Sequence, residues 1–442
     1  MSWRKVKLGD ILNESKIISE KPDPDKRIKV KLKVLGVEKR GLENEVEGAT
    51  KQYIRKAGQF IYGKQNFHKG AFGIVPAELD GYESSSDLPA FDIDKSCLPE
   101  FLFYFFKKGN FYLELAKIAS GVATQRINTT QLFELEITLP DIEVQKLLIS
   151  NIKSLEKNGA EISAELTHQL TLIKKLRQQI LQDAVSGKLV EQNHGDEPAS
   201  ELLKKIKKEK LKLIAAKELK KVKELPPIKP AEIPFEIPEN WRWCRLGEIC
   251  SLITSGSRNW NQYYSKTGEL FIRAQNIKSD TLDLEKKAFV NLPNSTEGQR
   301  TSVQLFDILI TITGGNVTKT ALVEKMDFVK AYVSQHIALT RLTNPLIAKW
   351  VYLNLICAST GRGQLKKMIY GDKPGLNLVQ IQSVFIPLPP LSEQHRIVQK
   401  LDSLMQYCND LEESIKQSAA QNERLLQQVL REALQPENIE ID

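Results

Sequence analysis

The chain holds only five cysteines (Cys97, Cys244, Cys250, Cys357 and Cys408), and no two form a CxxC pair. This scarcity excludes a disulfide framework and a zinc site, and leaves reduced, buried thiols as the expectation. Apolar runs of about 18 residues are missing, so no membrane span is expected. The start, MSWRKVKLGD, lacks an apolar signal-peptide core and points to the cytoplasm. The five histidines (His68, His168, His194, His336 and His395) show neither ligand nor relay spacing. There is no G-x-x-x-x-G-K-[ST] loop, no Asn/Asp-Pro-Pro-aromatic tetrapeptide for methyl transfer, and no Glu-x-Lys nuclease cluster on a strand. Nothing in the sequence offers a place for catalysis.

What is present is a duplication. The 442 residues exceed one ordinary core, so two or three globular units are expected. EITLPDIEVQKLLISNI (136–152) and FIPLPPLSEQHRIVQKL (385–401) share a strand–proline–helix device. Pro140 matches Pro389 and Gln145 matches Gln394, an offset of 249 that holds through the following helix. Upstream, Asn128 and Gln131 fall on Asn377 and Gln380 at the same offset. WRKVKLGDI (3–11) likewise echoes WRWCRLGEI (241–249) at an offset of 238, so the second globular region is longer by 249 − 238 = 11 residues. The order is globule, helix, linker, globule, helix.

Residues 142–185 and 391–434 read as long helices, each roughly 65 Å at about 1.5 Å per residue. Ile152, Leu155, Ile162, Leu166, Ile173, Leu176 and Ile180 in the first, and Leu401, Leu404, Leu411, Ile415, Leu425 and Val429 in the second, have coiled-coil spacing. Gln169, Ser418 and Asn422 interrupt this seam with polar groups that can fix register. Between the copies, residues 201–224 carry ten lysines against four glutamates, with Leu202, Leu203, Ile206, Leu211 and Ile214 on an apolar side. Pro226, Pro227, Pro230, Pro234 and Pro238 then impose an extended tether. The lysine run is either a solvated helical face or an attraction to a phosphate backbone. The net charge of +8 suits a polyanionic partner.

Within the globules, residues 28–37 alternate as a half-exposed strand, 305–317 read as a buried strand ending at Gly314-Gly315, and 328–342 hold one or two more. Helices are expected at 98–108, 110–119 and 346–357. The fold class is α+β, with two β-rich domains separated by two long coiled-coil helices.

The paired motifs LPDIEVQKLLISNI and LPPLSEQHRIVQKLDSL resemble the conserved regions of specificity subunits of type I restriction–modification systems. HGDEPASELLKKI, EIPFEIPENWRWCRLGEI, DILITITGGNVTKTALV, YVSQHIALTRL, GKLV and GAFGIVPAELDGYESS add to the resemblance in order. It implies two target-recognition domains, at 1–141 and 239–390, with conserved helices at 142–190 and 391–435 that pack antiparallel under an internal pseudo-two-fold relation. A Lys- and Pro-rich segment (191–238) and a tail (436–442) complete the layout. It further implies that each domain reads half of a bipartite duplex target while the helices set the spacer. Two modification (methyltransferase) subunits and restriction (translocase and nuclease) subunits would be partners, holding S-adenosylmethionine, ATP and Mg²⁺. The chain itself would be non-catalytic and bind no cofactor. The rivals are a diverged standalone nuclease or methyltransferase, and a scaffold that never touches DNA.

Phosphate contacts need Lys, Arg and amides, and base reading needs forked side chains. In the first globule this favours Lys29, Lys31, Lys33, Lys39, Arg40, Lys64, Asn66 and Lys69. In the second it favours Ser257, Arg258, Asn259, Arg273, Gln275, Asn276, Lys278, Asn316 and Lys319, with Trp260, Tyr263 and Tyr264 nearby. The helix entries nominate Gln145, Glu393, Gln394 and Arg396 for docking a methyltransferase partner. The first entry lacks the second proline and the glutamate before its glutamine.

Overall fold

The computed structural model describes residues 3–41, 51–120, 125–219, 225–293, 298–371 and 374–434. Residues 220–224 of the lysine run and the 436–442 tail lie outside the described residues. The chain divides into two compact units: unit 1 combines residues 1–169 with 414–442, and unit 2 spans 170–413.

In unit 1, the strand Arg4–Lys7 pairs antiparallel with Glu136–Leu139, setting Arg4 opposite Leu139. A four-stranded antiparallel sheet runs in the order Leu12–Glu14, Ala90–Ile93, Phe60–Tyr62, Phe72–Ile74. Its core is aromatic: Phe60, Tyr62, Phe67, Phe72, Phe91, Phe101 and Phe106 are all fully buried. The same core takes in Ile149 and Ile152 from one long helix and Leu430 and Leu434 from the other.

In unit 2, Arg242–Arg245 pairs with Phe385–Leu388, setting Arg242 opposite Leu388. These are the unit 1 partners moved by the two sequence offsets (4 + 238 = 242 and 139 + 249 = 388). One antiparallel sheet runs Cys250–Ser255, Ile337–Leu342, Ile308–Thr311, Thr320–Leu322. A second contains Glu269–Ile272 paired in parallel with Ala331–Val333. The main core here is aliphatic, built on Ile272, Ile277, Leu309, Val333, Ile337 and Leu339.

The capping boxes repeat as well. Asn128 and Gln131 bond each other's backbone at the start of Thr129–Phe133, and Asn377 and Gln380 do the same before Leu378–Ser383. Each glutamine then donates to a distant carbonyl at 2.7 Å, Gln131 to Ile118 and Gln380 to Met368.

Two expected elements differ. Residues 28–37 are a hairpin, Ile28–Val30 with Val37–Lys39, because Lys33, Val34 and Gly36 take positive φ and turn the chain back. The helix expected at 110–119 is only Phe111–Glu114 followed by a 3₁₀ turn, Leu115–Lys117.

The long helices are Ile142–Val185 and Leu391–Ala433. In unit 1 their packing is antiparallel: Asn422 Nδ2 donates to the Gly159 carbonyl at 3.0 Å and to Ser163 Oγ at 3.1 Å, while Leu430 and Leu434, further along the second helix, share a core with Ile152 and Ile149, earlier on the first. In unit 2, Arg177 Nη2 meets Glu412 Oε2 at 3.0 Å. The inward stripe of the first helix runs through Gln145, Ile149, Ile152, Glu156, Gly159, Leu166, Leu170, Ile173, Arg177, Ile180 and Ala184. Moving these by 249 gives Gln394, Val398, Leu401, Met405, Cys408, Ile415, Ala419, Asn422, Leu426, Val429 and Ala433, all covered to some degree except Ala419.

The expected seam is corrected on one side of this heptad. Ile152, Ile173, Ile180 and Leu401 are buried, and Leu166, Leu404, Ile415 and Val429 are half-buried. Leu155, Ile162, Leu176, Leu411 and Leu425 sit one residue before the stripe and are 39% to 59% exposed. The positions beside them are Glu156, Ser163, Arg177, Glu412 and Leu426, four of them polar. Polar residues hold those places through bonds: Glu156 takes Tyr104 Oη at 2.7 Å and Lys107 Nζ at 2.5 Å. Of the three polar residues expected in the seam, Asn422 bridges the helices, while Ser418 and Gln169 bond within their own helix.

Candidate nucleic-acid interface

In unit 1 the hairpin Ile28–Val30/Val37–Lys39 carries Lys29, Lys31, Lys33, Lys39 and Arg40. Its turn is tied to Lys69 and Gly70 by two backbone bonds, Lys33 N–H to the Lys69 carbonyl at 2.8 Å and Val34 N–H to the Gly70 carbonyl at 2.9 Å. One basic surface therefore gathers residues almost forty positions apart in sequence. Glu38 receives Lys31 at 2.5 Å and Lys29 at 3.7 Å, and the Lys31 bond holds its carboxyl below the usual range. Lys39 lies 4.0 Å from Asp25. Lys33, Lys39, Arg40 and Lys69 are exposed, whereas Lys64 and Asn66 are half-buried on the loop before Lys69.

In unit 2 the sequence candidates divide. Arg258 and Asn259 are exposed on the loop after Cys250–Ser255, beside half-buried Ser257, and Asn259 has φ +65°. Arg273, Asn276 and Lys278 all bond within the unit, and of the three, buried Asn276 is a correction, while Arg273 is half-buried and Lys278 exposed. Asn276 is 3% exposed; it accepts the Arg273 N–H and donates to the carbonyls of Asp283 and Lys286. Arg273 Nη2 also donates to the Lys286 carbonyl, and Lys278 pairs with Asp283 at 2.5 Å. A short amide closing a loop back on itself is a structural use, and only Gln275 of this segment is exposed and outside that network. Asn316 Nδ2 reaches the Ala274 carbonyl at 3.3 Å, and Lys319 is half-buried three residues on. Trp260 is core, packed on Phe271 and Tyr332, Tyr263 is half-buried, and Tyr264 is 47% exposed.

Sequence reasoning passed over the turn next to Asn316. Thr313 Oγ1 bonds His336 Nδ1, fixing an exposed imidazole beside Gly314 and Gly315, where an added Cβ would meet open space. The His-Thr pairing links positions 23 apart, which no spacing motif marks.

The docking candidates at the helix entries are also corrected. Gln145, Glu393 and Gln394 are 0% to 1% exposed. Gln145 accepts the Leu98 N–H at 2.7 Å and donates at 2.8 Å to the carbonyls of Ser96 and Pro140. Gln394 donates to the Pro389 carbonyl at 2.9 Å. Glu393 accepts Trp241 Nε1 at 3.0 Å and Gln192 Nε2 at 2.6 Å, and burial raises its pKa against those bonds. Arg396 grips both oxygens of Asp196, which lowers the aspartate. These side chains staple each unit to its helix. Gln145, Glu393 and Gln394 are buried and bonded internally and present no surface to another subunit, whereas Arg396 is half-exposed.

The lysine-rich helix, Ala199–Ala215, buries Ala199, Leu202 and Ile206, while Leu211 is 57% exposed. Lys210 Nζ caps the Gly247 carbonyl at 2.7 Å, and burial lowers its pKa. Lys204, Lys205 and Lys212 pair with Glu201, Glu197 and Glu209. Among the described residues no His/Cys/Asp/Glu group could hold a metal ion, and no helix is long and apolar enough to cross a membrane.

The architecture is shared with solved structures. One chain, from work on "complex assembly and conformational transition of the type I R-M system", aligns over 99% of this chain and 98% of its own with TM-score 0.65 and 18% identity. The HsdS subunit from Thermoanaerobacter tengcongensis aligns over 99% and 97% with TM-score 0.57 and 19% identity. At that identity the likeness concerns the fold. The sequence relation is carried by the family model for the type I restriction modification DNA specificity domain, which matches residues 1–172 and 238–421; the chain belongs to that family. The EcoAI specificity subunit of Escherichia coli is 33% identical over 296 residues, covering 64% of this chain and 49% of that protein. The EcoEI specificity subunit of Escherichia coli is 32% identical over 297 residues, with the same coverage. The chain thus spans about half the length of these curated relatives.

Proposed function

We propose that this chain is the sequence-specific DNA-binding subunit of a type I restriction–modification complex, in which each unit reads one half of a bipartite duplex target. The observation that carries the reading is the exact repetition of the unit–helix joint: the same strand register, capping box and buried glutamine recur at offsets of 238 and 249. A duplicated reader suits a target that is itself in two parts. Exposed Lys33, Lys39, Arg40 and Lys69 in unit 1, and exposed Arg258, Asn259 and Gln275 with half-buried Asn316 and Lys319 in unit 2, are the side chains assigned to DNA. The chain has no catalytic role in this reading. Modification subunits supply methyl transfer with S-adenosylmethionine, and restriction subunits supply ATP- and Mg²⁺-dependent translocation and cleavage.

The paired helices set the spacer between the half-sites. Their polar bridges, Asn422 to Gly159 and Ser163 and Arg177 to Glu412, favour one alignment of the pair. Inserting four residues near Ser163-Ala164-Glu165-Leu166 should lengthen the spacer and leave both half-site sequences intact. Mapping methylated sites in a host carrying the insertion variant and its partner subunits tests this. An unchanged spacer would remove the helices from that role.

A further inference from the structure

The turn of the basic hairpin in unit 1 is Leu32-Lys33-Val34-Leu35. Lys33 (φ 56°) and Val34 (φ 58°) are both left-handed, and the Leu35 N–H donates to the Leu32 carbonyl at 3.3 Å. This is a type I′ turn, whose central positions ordinarily hold Asn-Gly. A β-branched residue at positive φ is a true outlier, and strain of this kind gathers at ligand-binding segments. Here the conformation is held from within. The Lys33 and Val34 amides bond the carbonyls of Lys69 and Gly70, and the Val34 side chain packs on the aromatic core. Gly70 has φ +79°, and a Cβ there would stand 2.9 Å from Val34 N, so the close approach requires glycine.

A turn fastened by its backbone and by Val34 displays its other two apolar side chains. Leu32 is 44% exposed and Leu35 is 69% exposed. They stand in a segment, residues 26–40, that carries seven Lys and Arg against one Glu. An apolar pair inside a basic rim matches a polyanion that also offers apolar ground. The DNA major groove is such a surface: it admits a two-stranded ribbon, exposes thymine methyl groups and is flanked by phosphates. An acidic protein surface satisfies the charges but gives no reason for a narrow two-residue tip.

Resting on the DNA-recognition reading, we propose that this turn is the groove-reading tip of unit 1. Leu32 and Leu35 contact base edges, with thymine methyls the matching feature, and Lys33, Lys39, Arg40 and Lys69 contact the flanking phosphates.

The test is Leu32→Ala/Leu35→Ala in the full chain, co-expressed with its modification subunits, with methylated sites mapped and melting temperature recorded. Discrimination at one or two base pairs of one half-site should fall tenfold or more, with the other half-site, the spacer and the melting temperature unchanged. Lys33→Asn, a residue at ease in the left-handed region, should keep base preference and lower the salt dependence of binding. Unchanged preference in the double variant overturns the assignment. So does equal loss at both half-sites, or loss of complex assembly with preference intact, which would give the tip to a protein partner. If the unaltered chain and its partners methylate no defined sequence, the DNA-recognition reading itself fails, an outcome distinct from the others.

Discussion

The two units join their helices through the same strand pair, but they satisfy the joint with different side chains. In unit 2, Trp241 gives its indole N–H to Glu393, and the segment after the first long helix adds Gln192 and Asp196 to the staple. The sequence offsets place Trp3 and Val144 at the matching positions in unit 1. There the Trp3 Nε1 is buried without a hydrogen-bond partner, and Leu147, standing where unit 2 has Arg396, is 57% exposed. The glutamine shows the reverse. Gln145 makes three bonds in unit 1, whereas Gln394 donates to one carbonyl and leaves a buried Oε1 unpaired. Duplication has kept the backbone register and let each copy settle its polar groups separately.

Substitutions can break that comparison. The largest effect should come from Glu393→Ala, which strands the buried Trp241 indole N–H and removes the nearer acceptor of half-buried Gln192. A loss of about 3 kcal/mol is expected in urea denaturation of unit 2. Glu393→Gln tests the electrostatics of the same site. Burial raises the folded-state pKa of Glu393 above its unfolded value, so the folded unit binds a proton more readily. Stability should therefore decline as pH rises from the ordinary glutamate range through the raised value, and the glutamine variant should lack that slope. Next, Gln145→Ala should cost more than Gln394→Ala by about 1–2 kcal/mol, since it abandons more buried partners. Equal losses would mean that the extra bonds to Leu98 and Ser96 carry no weight. The smallest effect is a gain: Val144→Gln offers Trp3 a neutral acceptor and should stabilise unit 1 by about 1 kcal/mol in the same titration.

What could be read from the sequence was local or repeated. The correspondence of Asn128 and Gln131 with Asn377 and Gln380, and of the two unit starts, followed from fixed offsets; the capping boxes and strand registers that these residues form did not. The helix seam was half legible. Choosing apolar residues found Ile152, Ile173 and Leu401, but selected Leu155, Leu176 and Leu425 where the stripe passes through Glu156, Arg177 and Leu426. The period fixes which positions face inward, and polar residues can occupy them when a partner such as Tyr104 or Glu412 is at hand. The hairpin was hidden because nothing in Lys33-Val34 announces positive φ. The bonds of Glu393 and Arg396 were hidden because their partners, Gln192, Trp241 and Asp196, lie about 150 to 200 positions away.

The presence of Leu430 and Leu434 in the core built around Phe60 and Phe101 bears on biosynthesis. At about 5–20 residues per second, a ribosome needs on the order of 20–90 s to travel from the first strand to these leucines. Unit 2 is continuous in sequence and can close while translation proceeds, whereas unit 1 must wait with part of its aromatic surface uncovered. Unit 1, begun before unit 2, is completed after it, and this interval is where chaperone demand and aggregation risk concentrate.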